Sequence, residues 1–181
     1  LTGFGARAVK RMNDVGMAVS VSHASPQTSL DVCDVSEKPV FDTHALAKGA
    51  GMGTRGTSDE VFEAIADTGG VVGLLSSTHL PDIETYMEHF EYVVDLIGIE
   101  HVAFGPDVLY GDHTELLRVL SSYHGMELPE STLQSEYVDG LENPTEAWQN
   151  IPRWLVANDY SDDEIRKVLG GNVLDALEQV W

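Results

Sequence analysis

Cysteine occurs once in the 181 residues, at Cys33, which excludes an internal disulfide framework and fits a reducing compartment. Basic side chains are also scarce. Ten Lys+Arg stand against 30 Asp+Glu, a formal net charge of -20. Such a surface repels phosphate backbones and anionic lipid headgroups, and its few basic residues form no stripe. The expectation is therefore no nucleic acid and no membrane surface as partner. No apolar run approaches the ~18–20 residues of a membrane helix. The opening Leu1-Thr2-Gly3-Phe4-Gly5 has no initiating Met and no basic segment leading into an apolar one. No signal peptide is read there, and the chain is expected to begin inside a longer protein.

What is present supports a folded domain. Hydrophobic residues make up 43% and charged residues 22%, so a sizeable core is available and general disorder is not expected. At roughly 150 residues per domain, the length predicts one domain or a piece of a larger one. Soluble domains of this size usually carry a net charge of magnitude roughly 2–8. At -20, self-repulsion works against compactness unless salt or bound cations screen it. The reading adopted is a salty cytoplasm, hence a cytoplasmic, halophilic protein; an ordinary acidic protein with a cation site is the alternative.

The periodicity alternates between short strands and helices. Strands are predicted at 17–22, 39–42, 71–75 and 101–105, the first from its apolar and β-branched residues and the third from a run apolar on both faces. Helices are predicted at 4–14, from Pro26, from a Thr57/Glu60 capping box, and from Pro81 to Gly98. Further helices run from Thr114 to about Tyr123, from Pro144 with a kink or division at Pro152, from the Ser161 capping box, and from Asn172 as cap to Val180. A polar stretch at about 125–143 reads as a loop insertion. No internal repeat is present. Strands alternating with helices mean βαβ units on a parallel sheet, an α/β fold of about four units.

In such folds reactive groups stand at the C-terminal ends of strands. His23 follows the first strand, His44 the second, Thr78 and His79 the third, and Asp107 the fourth. Neutral imidazoles suit Zn²⁺, with carboxylates completing or supporting the site. Either histidine alone reads first as a hydrogen-bonded structural residue; two at equivalent positions on adjacent strands make metal binding an equal reading. Arg55 alone reads as a solvated surface arginine, and Asp107 after Gly105-Pro106 as a turn cap. The other histidines, His79, His89, His101, His113 and His124, read as surface or loop residues. Asp42, two residues before His44, faces either the same side of the strand or solvent.

The local sequences carry the reading further. Ser20-Val21-Ser22-His23-Ala24-Ser25 and Pro39-Val40-Phe41-Asp42-Thr43-His44-Ala45 resemble the two histidine segments of the membrane (renal) dipeptidase family. Asp59-Glu60-Val61 through Gly69-Gly70-Val71-Val72-Gly73 is similar to its helix-strand unit. Ile99-Glu100-His101-Val102-Ala103-Phe104-Gly105-Pro106-Asp107 is similar to its "GIDHVGIGSD" strand. Tyr160-Ser161-Asp162-Asp163-Glu164-Ile165-Arg166-Lys167-Val168-Leu169-Gly170-Gly171-Asn172 is similar to "YSEEDIRKILGGN". The segments run in order along the chain and thin between 110 and 145.

The resemblance implies the C-terminal half of a (β/α)8 TIM-type barrel, with residues 1–181 as a single partial domain. It implies a zinc-dependent dipeptidase in which His23 and His44 ligate one of two Zn²⁺ ions. Arg55 would bind the carboxylate of a dipeptide substrate, where a guanidinium fork fits, and Asp107 its amino group. Ser20, Asp42 and Leu109 depart from the family pattern. The family's His-x-Asp pair, its bridging Glu and another substrate-binding histidine have no counterpart here, so no wild-type catalysis is expected of these 181 residues alone. A divergent non-catalytic barrel, or another metal-dependent amidohydrolase, is the competing expectation. Open sheet edges would allow a homo-oligomer.

Overall fold

The protein is described from a computed structural model, covering residues 1–52, 56–76, 80, 82–108, 110, 113–127, 138, 140, 141 and 143–181. Helix α1 (Gly3–Asp14) leads into strand β1 (Val19–Ser20), followed by α2 (Pro26–Val35) and β2 (Val40–Ala45). Then come α3 (Asp59–Asp67), β3 (Val71–Leu74), α4 (Ile83–Ile97) and β4 (Val102–Phe104). The chain continues through α5 (His113–Tyr123), α6 (Pro144–Ala157), α7 (Asp162–Arg166) and α8 (Asn172–Val180).

The four strands form one sheet in the order β1-β2-β3-β4, and every pair is parallel. Parallel neighbours need a crossover, which α2, α3 and α4 supply in turn. All four strand C-termini therefore lie along one edge. The expected α/β class and parallel arrangement are present; β1, β3 and β4 are shorter than their predicted runs, and β2 extends three residues past its own.

Side-chain alternation along the strands divides the core into two layers. Val40, Val72, Val102 and Phe104 join Val32 of α2, Phe62 and Ile65 of α3 and Phe90 of α4. Phe90 stacks on Phe104 with ring centroids 5.0 Å apart. Each of these large side chains, taken out of water, contributes roughly 1.5–3 kcal/mol. The opposite face presents Phe41, Val71 and Ala103 to Ala176 and Val180 of α8. Cys33 is buried, and burial pushes its thiol up to about 11, which makes it a packing residue rather than a nucleophile.

The N-terminal ends of the strands are tied down by α8. Asn172 Nδ2 donates to Ile99 O at 2.7 Å and Val102 O at 2.8 Å, and Lys38 Nζ donates to Gln179 O at 2.7 Å. Asn172 thus staples the last helix to β4 instead of capping it. A wide turn at Lys167–Gly171, with Gly170 at φ 147°, links α7 to α8.

Two local expectations, at Thr57 and His89, are revised, and one, at Pro152, is narrowed. The Ser161 capping box forms, but Thr57 does not cap α3; Ser58 holds the cap position without a side-chain bond. Thr57 is drawn off because its N–H donates to Leu46 O and its carbonyl accepts from Lys48 N. Helix α6 passes Pro152 undivided. The missing N–H costs the Trp148 carbonyl its partner, and Trp148 lies exposed where water can serve it. His89 is buried on α4, and burial lowers its pKa, so it is a core histidine rather than a surface one. Residues 128–137, the centre of the expected insertion, lie outside the described residues, as do Pro81 and His79.

Of the 30 acidic side chains, Asp59, Glu60, Glu84, Glu146 and Asp162 to Glu164 are among those in helix first turns, where the helix dipole favours them. With 30 acids to 10 bases, most have no base to pair with. Raising KCl from ~0.1 M to ~2 M shrinks the Debye length from about 10 Å to below 3 Å, and is expected to raise the thermal unfolding midpoint. A midpoint that stays level or drops over that range would refute the self-repulsion account.

Candidate metal centre

Strand β2 ends in an irregularity. Asp42 pairs with Val72 and Ala45 with Leu74, so three steps on β2 match two on β3 and one extra residue is accommodated at Thr43–His44. The space for this bulge comes from two glycines. A Cβ on Gly105 would collide with the Thr43 carbonyl oxygen and lie 3.1 Å from the Thr43 carbonyl carbon and 3.4 Å from Gly73 Cα. Gly73 meets the same carbonyl. The backbone of Thr43 therefore packs where side chains would otherwise project from β3 and β4.

The bulge turns His44 toward the end of β1. There His23 adopts φ 64°, a left-handed conformation that is uncommon outside glycine but enriched in histidine. The two rings meet with centroids 4.8 Å apart and tilted by 59°. Their Nε2 atoms are 2.8 Å apart. One proton must lie between them, since two bare lone pairs at that distance repel.

Behind the pair is a polar network. Thr43 Oγ1 lies 2.9 Å from His44 Nδ1 and 2.9 Å from Ser22 Oγ. Ser22 Oγ accepts from Thr43 N at 2.8 Å and donates to Asp42 Oδ1 at 2.8 Å. Thr57 Oγ1 donates to Asp42 Oδ2 at 3.4 Å. Asp42 is 4% exposed, the one buried carboxylate among the described residues, which settles its direction away from solvent. A cavity of about 200 Å³ adjoins the network, lined in part by His23, His44, Asp42, Ser29, Thr57 and Val61.

The expected site residues are thus placed unequally. His23 and His44 are brought together. Asp107 stands exposed at the C-terminal end of β4, at φ 54°. The preceding Pro106 carbonyl accepts from Ser76 N at 3.2 Å and Ser76 Oγ at 3.0 Å, which ties the β3 and β4 ends together. Asp107 lies two strands from His44, a lateral distance of roughly 10 Å at the usual strand spacing. Arg55, His79 and Leu109 lie outside the described residues. Sequence reasoning missed the Ser22–Thr43 connection. Its signal was the repeated hydroxyl–histidine dipeptide, Ser22-His23 and Thr43-His44.

The donor set fits half of a metal site. Zinc with bonds of about 2.0–2.1 Å keeps two tetrahedral ligand nitrogens about 3.3–3.4 Å apart, so a small outward rotation of the two rings would admit one ion. Such sites need at least three protein ligands. Among the described residues no group of three or more His, Cys, Asp or Glu side chains is placed to hold a metal.

A parallel sheet with its polar groups gathered at the strand C-termini defines an α/β chain, and its strands follow one another in chain order as in a TIM-type barrel. Residues 1–124 match the family model for membrane dipeptidase, peptidase family M19, and the chain belongs to that family. It is 25% identical over 186 residues to Dipeptidase 3 of Homo sapiens, covering 99% of this chain and 33% of that protein. It is 28% identical over 181 residues to Dipeptidase verJ of Clonostachys rogersoniana, covering 97% of this chain and 40% of that protein. The chain thus spans a third to two fifths of these relatives. An amidohydrolase structure from Pseudomonas aeruginosa superposes with a TM-score of 0.86 at 30% identity, over 100% of this chain and 57% of that one. A metallopeptidase from Rhodobacter sphaeroides, bound to a phosphinate mimic of the dipeptide L-Ala-D-Ala, shares the fold with a TM-score of 0.77 at 23% identity, over 100% of this chain and 47% of that one.

The bulge makes a direct claim about Gly105. Gly105→Ala is expected to lower stability by about 1–3 kcal/mol, the usual cost of overpacking. Urea unfolding measures it, and a loss below ~0.5 kcal/mol would show that the Thr43 carbonyl is not held there.

Proposed function

We propose that the chain forms the C-terminal half of the catalytic barrel of a zinc-dependent dipeptidase. The observation that carries this reading is the convergence of His23 Nε2 and His44 Nε2 at the ends of adjacent parallel strands. These two imidazoles would hold one zinc ion. When bound, zinc supplies Lewis acidity, activating water as nucleophile and polarising the scissile carbonyl.

The chain's own residues would bind and orient the substrate. Arg55 would take the dipeptide carboxylate as a bidentate partner, and Asp107 would hold the amino group. An extended dipeptide spans about 7 Å, which the roughly 10 Å between the β2 and β4 ends can accommodate. The remaining metal ligands would come from elsewhere in the whole protein, since the described residues provide only the two histidines. With no counterpart in the sequence to the family's His-x-Asp pair and bridging Glu, these 181 residues alone would not reach wild-type catalysis, and the acidic surface suits a salt-rich cytoplasm.

A second reading, another metal-dependent amidohydrolase, is favoured by the likeness to the Pseudomonas aeruginosa amidohydrolase and by the carboxylate at Asp42 where the family pattern has an apolar or small residue. Profiling the intact gene product on dipeptides, cyclic amides and phosphoesters separates the two.

The intact gene product is expected to hydrolyse dipeptides with added Zn²⁺. His23→Ala and His44→Ala should each lower kcat/KM by a hundredfold or more, since even residues behind metal ligands act on a scale of roughly 10–100-fold. Hydrolysis that survives both substitutions would sink the assignment.

A further inference from the structure

The polar network behind the histidine pair has a direction. Ionised Asp42 can accept hydrogen bonds but not donate them. The single Ser22 hydroxyl proton is engaged by Asp42 Oδ1 at 2.8 Å, so Ser22 has only lone pairs left for its other partners. One receives the Thr43 N–H at 2.8 Å. The other is approached by Ser20 Oγ, which donates at 3.2 Å, and by Thr43 Oγ1 at 2.9 Å; because the Ser22 proton is spent, the shorter of these contacts draws on the Thr43 proton. With that proton spent, Thr43 Oγ1 offers His44 Nδ1 only a lone pair across their 2.9 Å contact, so the proton there belongs to the ring.

We propose that Asp42 is a positioning residue that fixes His44 as the Nδ1–H tautomer, acting through Ser22 and Thr43, and so keeps the Nε2 lone pair of His44 aimed at the point where His23 converges. In the metal-free protein the proton between the two Nε2 atoms then belongs to His23, which donates to His44. Only a bare ring nitrogen can ligate a metal, so the relay prepares His44 as a ligand before any ion arrives. This function rests on the reading that His23 and His44 hold zinc; the tautomer itself does not. Burial fits the assignment. A carboxylate 4% exposed is costly to keep unless its oxygens are engaged, and here Ser22 and Thr57 engage both.

The test is ¹⁵N-histidine NMR of the intact, metal-free protein at ~pH 8, where ordinary imidazoles are neutral, with His44 assigned through His44→Gln. In the wild type the long-range correlations should show His44 protonated at Nδ1 and bare at Nε2. Asp42→Val removes the acceptor and Ser22→Ala cuts the relay, and the second serves if the first fails to fold. In each variant that keeps the wild-type circular dichroism, His44 should gain a distinct Nε2–H population. Zinc affinity measured by calorimetry should drop about tenfold or more, as for other residues that orient metal ligands.

An Nε2–H tautomer in the wild type, or an unchanged Nδ1–H tautomer in a folded variant, overturns the proposal. If Zn²⁺ leaves the His23 and His44 nitrogens unshifted while the tautomers behave as stated, the metal reading fails and the relay stands. A purely structural role for Asp42 would lower stability without moving the tautomer.

Discussion

The parallel pairing of β1 to β4 is the constraint on which the rest depends. It brings four strand C-termini to one edge and leaves the N-terminal ends to be closed by α8. The polar groups with chemical potential, His23, His44, Asp42 and Asp107, lie toward the first edge. The bonds from Asn172 and Lys38 lie toward the second. Stability and chemistry are thereby separated along the strand direction, the division expected of barrel folds built from (β/α) units.

Within that frame one local defect determines the site. A regular β2 would keep its side chains alternating in step with β3. The extra residue at Thr43–His44 breaks the alternation, and Gly73 and Gly105 make room for the displaced carbonyl. His23 meets His44 through a backbone conformation that costs an L-residue of order 1–2 kcal/mol. The surrounding polar contacts offset this, and the result is two nitrogens facing one another with a hydrogen-bonded line of support behind one of them.

Much of the fold was legible because each element announces itself locally. Val71 to Leu75 is apolar on both faces, as a strand covered on both sides must be, and Gly98 ends α4 where the helical spacing stops. The histidine pair was legible from position at the strand ends and from its flanking motifs. What escaped had non-local causes. Thr57 carries the capping pattern, yet its backbone is taken by Leu46 and Lys48 across the loop. Asn172 looks like a cap, yet bonds two carbonyls some seventy residues away. His89 is instructive in the other direction. It lies three residues after Tyr86 and four before Val93, on the buried stripe of α4, so its burial was readable from spacing. Asp42 could not be decided from the sequence, because strand parity does not say which face a bulge will leave dry.

The same bulge bears on how this segment can change over generations. Between Asp42 and Ala45 the strand holds one residue more than its neighbour needs. Deleting any single residue there would restore an unbroken ladder and return His44 to the ordinary alternation, away from His23. Adding one would push it beyond the end of β1. Length drift that surface loops absorb freely is thus closed to this stretch, and change there must proceed by exchange of side chains at fixed length.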